Sequence, residues 1–239
     1  MKTVYWSFNH YKTHPYNFAL GVCDIKPVLS QVPRFLVDDE KNMSYIKCPA
    51  FTDEIKNTFM LKAPFSFRVY KVNNGLEFEG LDLDVYTKIL ADNPIYGKMW
   101  HITLGFVFFS DSPLEMSQQH PFLHNKNSVS KWGNVLQGKY DIGKWFRSLN
   151  LAMIPHPNTT ELSFSQGDIL SYIKFHTDEK INFRQFEFTE KNAMYMQACL
   201  NYKKTKFHGI YPLSEVYSAF ERNKFRKLIL EEIKNNLID

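Results

Sequence analysis

The stretch HITLGFVFFS, residues 101–110, carries apolar side chains at odd and even positions alike. Successive side chains of a strand point to opposite faces, so such a run cannot lie with one face in water. It predicts a central strand buried on both sides. A chain that contains it must supply enough apolar surface to cover it twice. With 239 residues, 44% of them hydrophobic and 16% aromatic, this one can build a sizeable core, and global disorder is not expected. The same run falls well short of the roughly 20 apolar residues of a membrane-spanning helix. No other window comes closer, so no membrane partner is expected.

Around this strand the pattern is β-rich. FSFRVYKV (65–72) alternates in the manner of a strand and leads through Asn73-Asn74-Gly75 into LEFEG, which predicts a hairpin with Asn-Gly at its turn. The segment before it, from about residue 9 to Leu61, reads as irregular, punctuated by Pro15, Pro27, Pro33 and Pro49. VLQGKYDIG and KWFRSLNLAMIPH predict further strands. LSFSQGDILSYIKFHT (162–177) predicts two short strands, or one bent strand, with a corner at Gly167-Asp168. INFRQFEF (181–188) alternates cleanly. The four residues from Thr177 to Lys180 then predict an antiparallel hairpin between the two runs.

The C-terminal part, 189–239, reads as helical. One helix is expected from Thr189 to about Lys204, with Met194, Ala198 and Tyr202 at spacing four. A last helix is expected from Ser214 or Ser218 to Asn236. Ser218-Ala-Phe-Glu221 would be its capping box, and Phe225, Ile229, Ile233 and Leu237 its apolar stripe, with Leu228 beside them. The expected fold is mainly β (α+β), a β-sandwich or jelly-roll-like domain with flanking C-terminal helices. The expected organisation is one domain over 1–239, with a subdivision near 125 as the alternative.

The three cysteines, Cys23, Cys48 and Cys199, are too sparse for a disulfide framework or a zinc cluster. Reduced thiols and a cytoplasmic location follow. The N-terminal residues do not read as a signal peptide, because the apolar run breaks at once on Ser7, Asn9 and His10.

Four stretches, KCPAFTDEIKNTFMLKAPF (47–65), KYDIGKWFR (139–147), FSQGDILSYIKFHTDEK (164–180) and the helical end, together resemble an uncharacterised protein family carried by tailed phages, marine ones among them, and by some bacteria. The resemblance covers most of the chain. It implies a phage or bacterial origin, hence a host-cell cytoplasm with the virion as the alternative. It brings no activity, cofactor or catalytic residue. The pattern it resembles holds the Gly-Asp corner but no fixed His at position 176.

Three functional expectations stand side by side, and whether the chain is an enzyme is left open among them. The first is a non-enzymatic structural or interaction protein without a cofactor, whose partner is a protein. Its candidate surface is KYDIGKWFR, because Tyr140, Trp145 and Arg147 are the residue types that dominate binding hot spots. The competing reading of those residues is architectural, with Trp145 and Phe146 in a core and Asp141 paired with Arg147 near it. The second expectation is a non-heme Fe(II)/2-oxoglutarate oxygenase. His176 and Asp178, at i and i+2 of a strand, would share a face, His208 would be the distal ligand, and Arg222 would pair with the co-substrate carboxylate. Against it stands the reading of His176 as a hairpin-edge residue and Asp178 as a turn residue. The third is nucleic-acid binding by YKKTKFH (202–208) and ERNKFRK (221–227). Lys203, Lys204, Lys206, Arg222, Lys224, Arg226 and Lys227 there face a single Glu221 and interleave with aromatics. The net charge of +4 is too small to argue for nucleic acid by itself. His10 with His14, and His120 with His124, have metal-like spacing without a third ligand. DEIKNTF (53–59) reads as a loop ordered by its own Asp and Asn side chains.

Overall fold

The computed structural model describes residues 1–8, 26–27, 48–63, 66–72, 75–79, 95–96, 99–205 and 212–238. Cys23, His10, His14, Lys206 and His208 lie outside the described residues.

Among the described residues the chain is mainly β, with three helices at its C-terminal end. The strands are β1 (Lys2–Phe8), β2 (Lys26–Pro27), β3 (Thr58–Lys62), β4 (Phe67–Val72), β5 (Gly75–Glu79), β6 (Ile95–Tyr96), β7 (Met99–Ser110), β8 (Glu115–Gln119), β9 (Gly133–Val135), β10 (Gly138–Asp141), β11 (Ser148–Pro155), β12 (Glu161–Phe164), β13 (Ile169–Phe175) and β14 (Ile181–Gln185). A short helix α1 (Pro49–Glu54) precedes β3, and the C-terminal helices are α2 (Glu190–Thr205), α3 (Leu213–Arg222) and α4 (Phe225–Asn235). The segment expected to be irregular up to Leu61 thus contains α1, with Pro49 at its first turn, and β3.

The central sheet runs β14-β1-β7-β11-β9, with β6 also on β7. Its middle strand is the doubly apolar run. Phe106 and Phe108 enter one core, Val107 and Phe109 the other. β1 divides in the same way, with Val4, Trp6 and Phe8 on one side and Tyr5 on the other. Gly105 takes φ +75°, where β7 bulges opposite β11, and a Cβ there would stand 2.8 Å from the Phe8 ring.

On one face the central sheet meets a second sheet, β10-β8-β13-β3-β2, through Phe59, Leu61, Met116, Ile173 and Phe175. A third sheet, β12-β4-β5, adds Val69, Leu162 and Phe164 to the same core. That core takes residues from both sides of position 125. On the other face lie the helices, which contribute Met196 and Cys199, Val216 and Phe220, and Ile229 and Ile233.

Several local expectations change. β12 and β13 are two strands in two different sheets, and Gly167 at φ +88° makes the corner between them. The expected hairpin after β13 does not form. β13 pairs with β3 and β8, whereas β14 pairs in parallel with β1. Residues 177–180 therefore carry the chain from the second sheet to the central one. The reason is packing: Phe183 of β14 meets Phe175 and Phe59 edge-on across the core, which a hairpin in the plane of β13 would not allow. Among the described side chains of α2 the buried ones are Asn192, Met196 and Cys199, while Met194 is 65% exposed. The last helix is two helices, broken where Lys224 adopts φ 54°. Ser218 lies inside α3 and bonds back to the Ser214 carbonyl, so the capping box is not used. Ile229 and Ile233 are buried as expected, but Leu228 is 41% exposed.

Asn57 clasps the 177–180 corner. Its Nδ2 donates to the carbonyls of Thr177 (2.7 Å) and Glu179 (2.9 Å), and its own carbonyl accepts the Phe175 N–H. Asn57 sits at φ 52°, a conformation Asn tolerates and Ala does not. Asn57→Ala is expected to lower stability by about 2–3 kcal/mol, from two lost bonds and backbone strain. A urea titration with an unchanged slope and a lower midpoint would show it.

Candidate functional site

The iron candidates are not assembled among the described residues. His176 follows β13 rather than lying in it, so the same-face geometry of i and i+2 in a strand does not apply. Its Nε2 shares a 2.9 Å hydrogen bond with Ser117 Oγ. The Asp178 side chain is 97% exposed and pairs with Lys56 at 2.9 Å. Arg222 ends α3, and among the described residues no group of three His, Cys, Asp or Glu could hold a metal.

His120 and His124 serve the loop between β8 and β9. The Val135 N–H donates to His120 Nδ1 at 3.3 Å, which places the ring proton of the neutral imidazole on Nε2. That proton faces Ser130 Oγ at 3.2 Å, and Ser130 donates onward to the Pro121 carbonyl. A serine nucleophile needs the reverse polarity, a ring nitrogen that accepts from the hydroxyl. The pair is therefore structural. His124 Nδ1 bonds the Tyr172 hydroxyl.

Burial, and secondarily His156, holds the His120 pKa below its usual range. Burial, then Lys139 and Lys174, does the same for His176. A His with a depressed folded-state pKa favours folding while neutral. That contribution is present above the unfolded-state pKa and is lost as pH falls through the folded-state value. The urea midpoint is expected to drop between about pH 7 and about pH 5, and less steeply in His120→Gln. An equal slope in the variant would remove His120 from the account.

KYDIGKWFR is where the layers meet. β8 and β10 pair at the rim of the second sheet, and residues 142–147 then cross to the central one. Asp141 organises the crossing. Its Oδ1 accepts the N–H groups of Leu114 and Gly143, each at 2.9 Å, and its Oδ2 lies 3.8 Å from Lys144 Nζ. The i to i+2 bond from Asp141 to Gly143 is an Asx turn, a signal legible in Asp-Ile-Gly. The Asp141 N–H donates to the Tyr217 hydroxyl of α3 at 2.7 Å. Arg226 of α4 donates its Nε–H to the Gly143 carbonyl at 3.0 Å. These helix contacts are not readable from local sequence.

Of the three candidates in this stretch, Trp145 is only 5% exposed. It lines a pocket of about 10 Å³ with Cys199, Val216, Phe220, Asn223 and Phe225, room for a water but not for an organic substrate. Burial pushes the Cys199 thiol up to about 12, so it is not a nucleophile. The expected pairing of Asp141 with Arg147 is not made. Arg147 and Tyr140 are partly exposed. The Arg147 guanidinium lies 4.6 Å from the Trp145 ring centre and 5.8 Å from that of Tyr140, and the two rings meet edge-on. Such a cation–π contact is worth about 0.5–2 kcal/mol. The Tyr140 hydroxyl and the Trp145 Nε1–H are buried without a protein partner. Burial raises Tyr140 to about 12, so its hydroxyl keeps its proton.

The basic candidates are dispersed. Lys203 and Lys204 fall in the last turns of α2. Arg222, Lys224 and Lys227 are exposed around the α3–α4 break. Arg226 is committed to Glu221 and Gly143.

No family model, curated protein or solved structure matches the chain.

Proposed function

We propose that this chain is a non-enzymatic interaction protein of phage or bacterial origin, working in the cytoplasm and binding a protein partner around Arg147. One observation carries the reading. Arg147 is a partly exposed Arg in cation–π contact with Trp145 and Tyr140, the three residue types enriched in binding hot spots, and the turn at 141–143 just before it is fastened by Tyr217 of α3 and Arg226 of α4. A rigid anchor of this kind loses little entropy on binding. The two β layers that share the larger core also support a sandwich or jelly-roll reading of the fold.

The test is a photo-crosslinking amino acid at position 144, whose side chain is partly exposed and lies over Tyr217. In bacterial cells it is expected to yield one adduct of defined mass, identified as a protein and lost in Arg147→Met. An adduct indifferent to Arg147, or a partnerless monomer that turns over a small molecule, would overturn the proposal. A nucleic-acid adduct would move the reading to the basic segment.

A further inference from the structure

We infer that Arg147 is the receptor for an oxyanion, a carboxylate or phosphate group, which takes the outer edge of its guanidinium. The inference deepens the interaction reading and rests on it for the partner, though not for the chemistry.

The argument starts from an unmatched cation. Arg147 makes one local hydrogen bond, from Nε to the Ser148 carbonyl at 3.0 Å. No carboxylate of the described residues lies within ion-pair distance of it. Other arginines are matched: Arg68 lies near Glu79 and Glu161, and Arg226 near Glu221. The carboxylate nearest in sequence, Asp141, spends its oxygens on Leu114, Gly143 and Lys144. Burial lowers the Arg147 pKa from its usual value.

The neighbours point the same way. The Trp145 Nε1–H, on a side chain more than nine-tenths buried, and the Tyr140 hydroxyl have no protein acceptor. These two donors are closed off from solvent, so they add to a local excess of donors while Arg147, partly exposed, is the group an outside ligand reaches. Donors without acceptors select an anion over a cation or an apolar group. The Nε–H goes to Ser148 and the guanidinium carbon lies 4.6 Å from the Trp145 ring centre, so the two terminal nitrogens remain, and paired N–H groups of a guanidinium match a carboxylate or a phosphate bidentately. An acidic side chain of the partner and a small free anion share this chemistry.

The test is titration of the ¹⁵N-labelled full chain with sodium acetate, with inorganic phosphate, and with a short Glu-containing peptide blocked at both ends. The Arg147 Nε–H resonance is assigned as the one lost in Arg147→Lys. It is expected to shift saturably in the wild type. The Trp145 indole resonance should follow it, and in Arg147→Lys that indole should report affinity weaker by at least about tenfold. Saturation by the peptide at lower concentration than acetate assigns the group to a partner side chain. Equal concentrations assign it to a small anion, and either result supports the site. Shifts that are linear in all three probes and identical in Arg147→Lys overturn it. The two readings fail separately. A flat titration beside an Arg147-dependent adduct removes the anion and leaves the interaction. Saturable binding with no adduct does the reverse.

Discussion

Phe146→Ala is expected to lower stability by about 3–5 kcal/mol, the range for removing a fully buried aromatic without repacking. Phe146 is 0% exposed. Its ring stands 5.4 Å from Phe109 of the central strand and 6.4 Å from Phe188, which leads into α2. It couples the central sheet to the helical layer. Since domains are stable by about 5–15 kcal/mol, the variant should lose a large share of its stability. The urea midpoint measures it. A change below about 1 kcal/mol would mean that the helices are held chiefly by other contacts.

Asp141→Ala is expected to cost nearly as much, about 2–5 kcal/mol, by orphaning two buried N–H donors. Both donors, Leu114 N–H and Gly143 N–H, use the same carboxylate oxygen, Oδ1. Asp141→Asn keeps an oxygen there and gives up only the 3.8 Å approach of Lys144. The Asn variant should therefore stay within about 1 kcal/mol of wild type, since a single pair at 3.8 Å with a partly exposed Lys144 contributes little beside the two hydrogen bonds that remain. The comparison of denaturation midpoints separates hydrogen bonding from charge. Equal losses in the two variants would assign the role to charge instead.

Local pattern disclosed much of the fold and less of the site. The run at 101–110 could only be a doubly buried strand, and it is the middle of the central sheet. The Gly167-Asp168 corner and the helical end are equally local signals. The path after β13 is not. Four polar residues look the same whether they close a hairpin or cross between sheets. What decides between them is β1, some 180 residues away in sequence, which pairs with β14 through contacts such as Val4 with Phe183. The break between α3 and α4 was hidden for a related reason. The apolar spacing runs through Asn223-Lys224, and only the left-handed turn at Lys224 divides it.

At the site, the residue types of KYDIGKWFR allowed both a core and a surface, and the structure divides them. Trp145 and Phe146 go to the core, while Tyr140 and Arg147 stay at its margin. Nothing in the local pattern indicated that Tyr217 and Arg226, about 80 residues downstream, would fasten the turn.

The central claim is that Arg147 is held for a ligand and not for the fold. The urea midpoint of Arg147→Met tests it most directly. Methionine retains contact with the aromatic rings and removes a cation that has no counter-charge among the described residues. The account predicts a midpoint equal to or above that of the wild type, within about 1 kcal/mol. A fall as large as that of Asp141→Ala would contradict it and make Arg147 part of the framework.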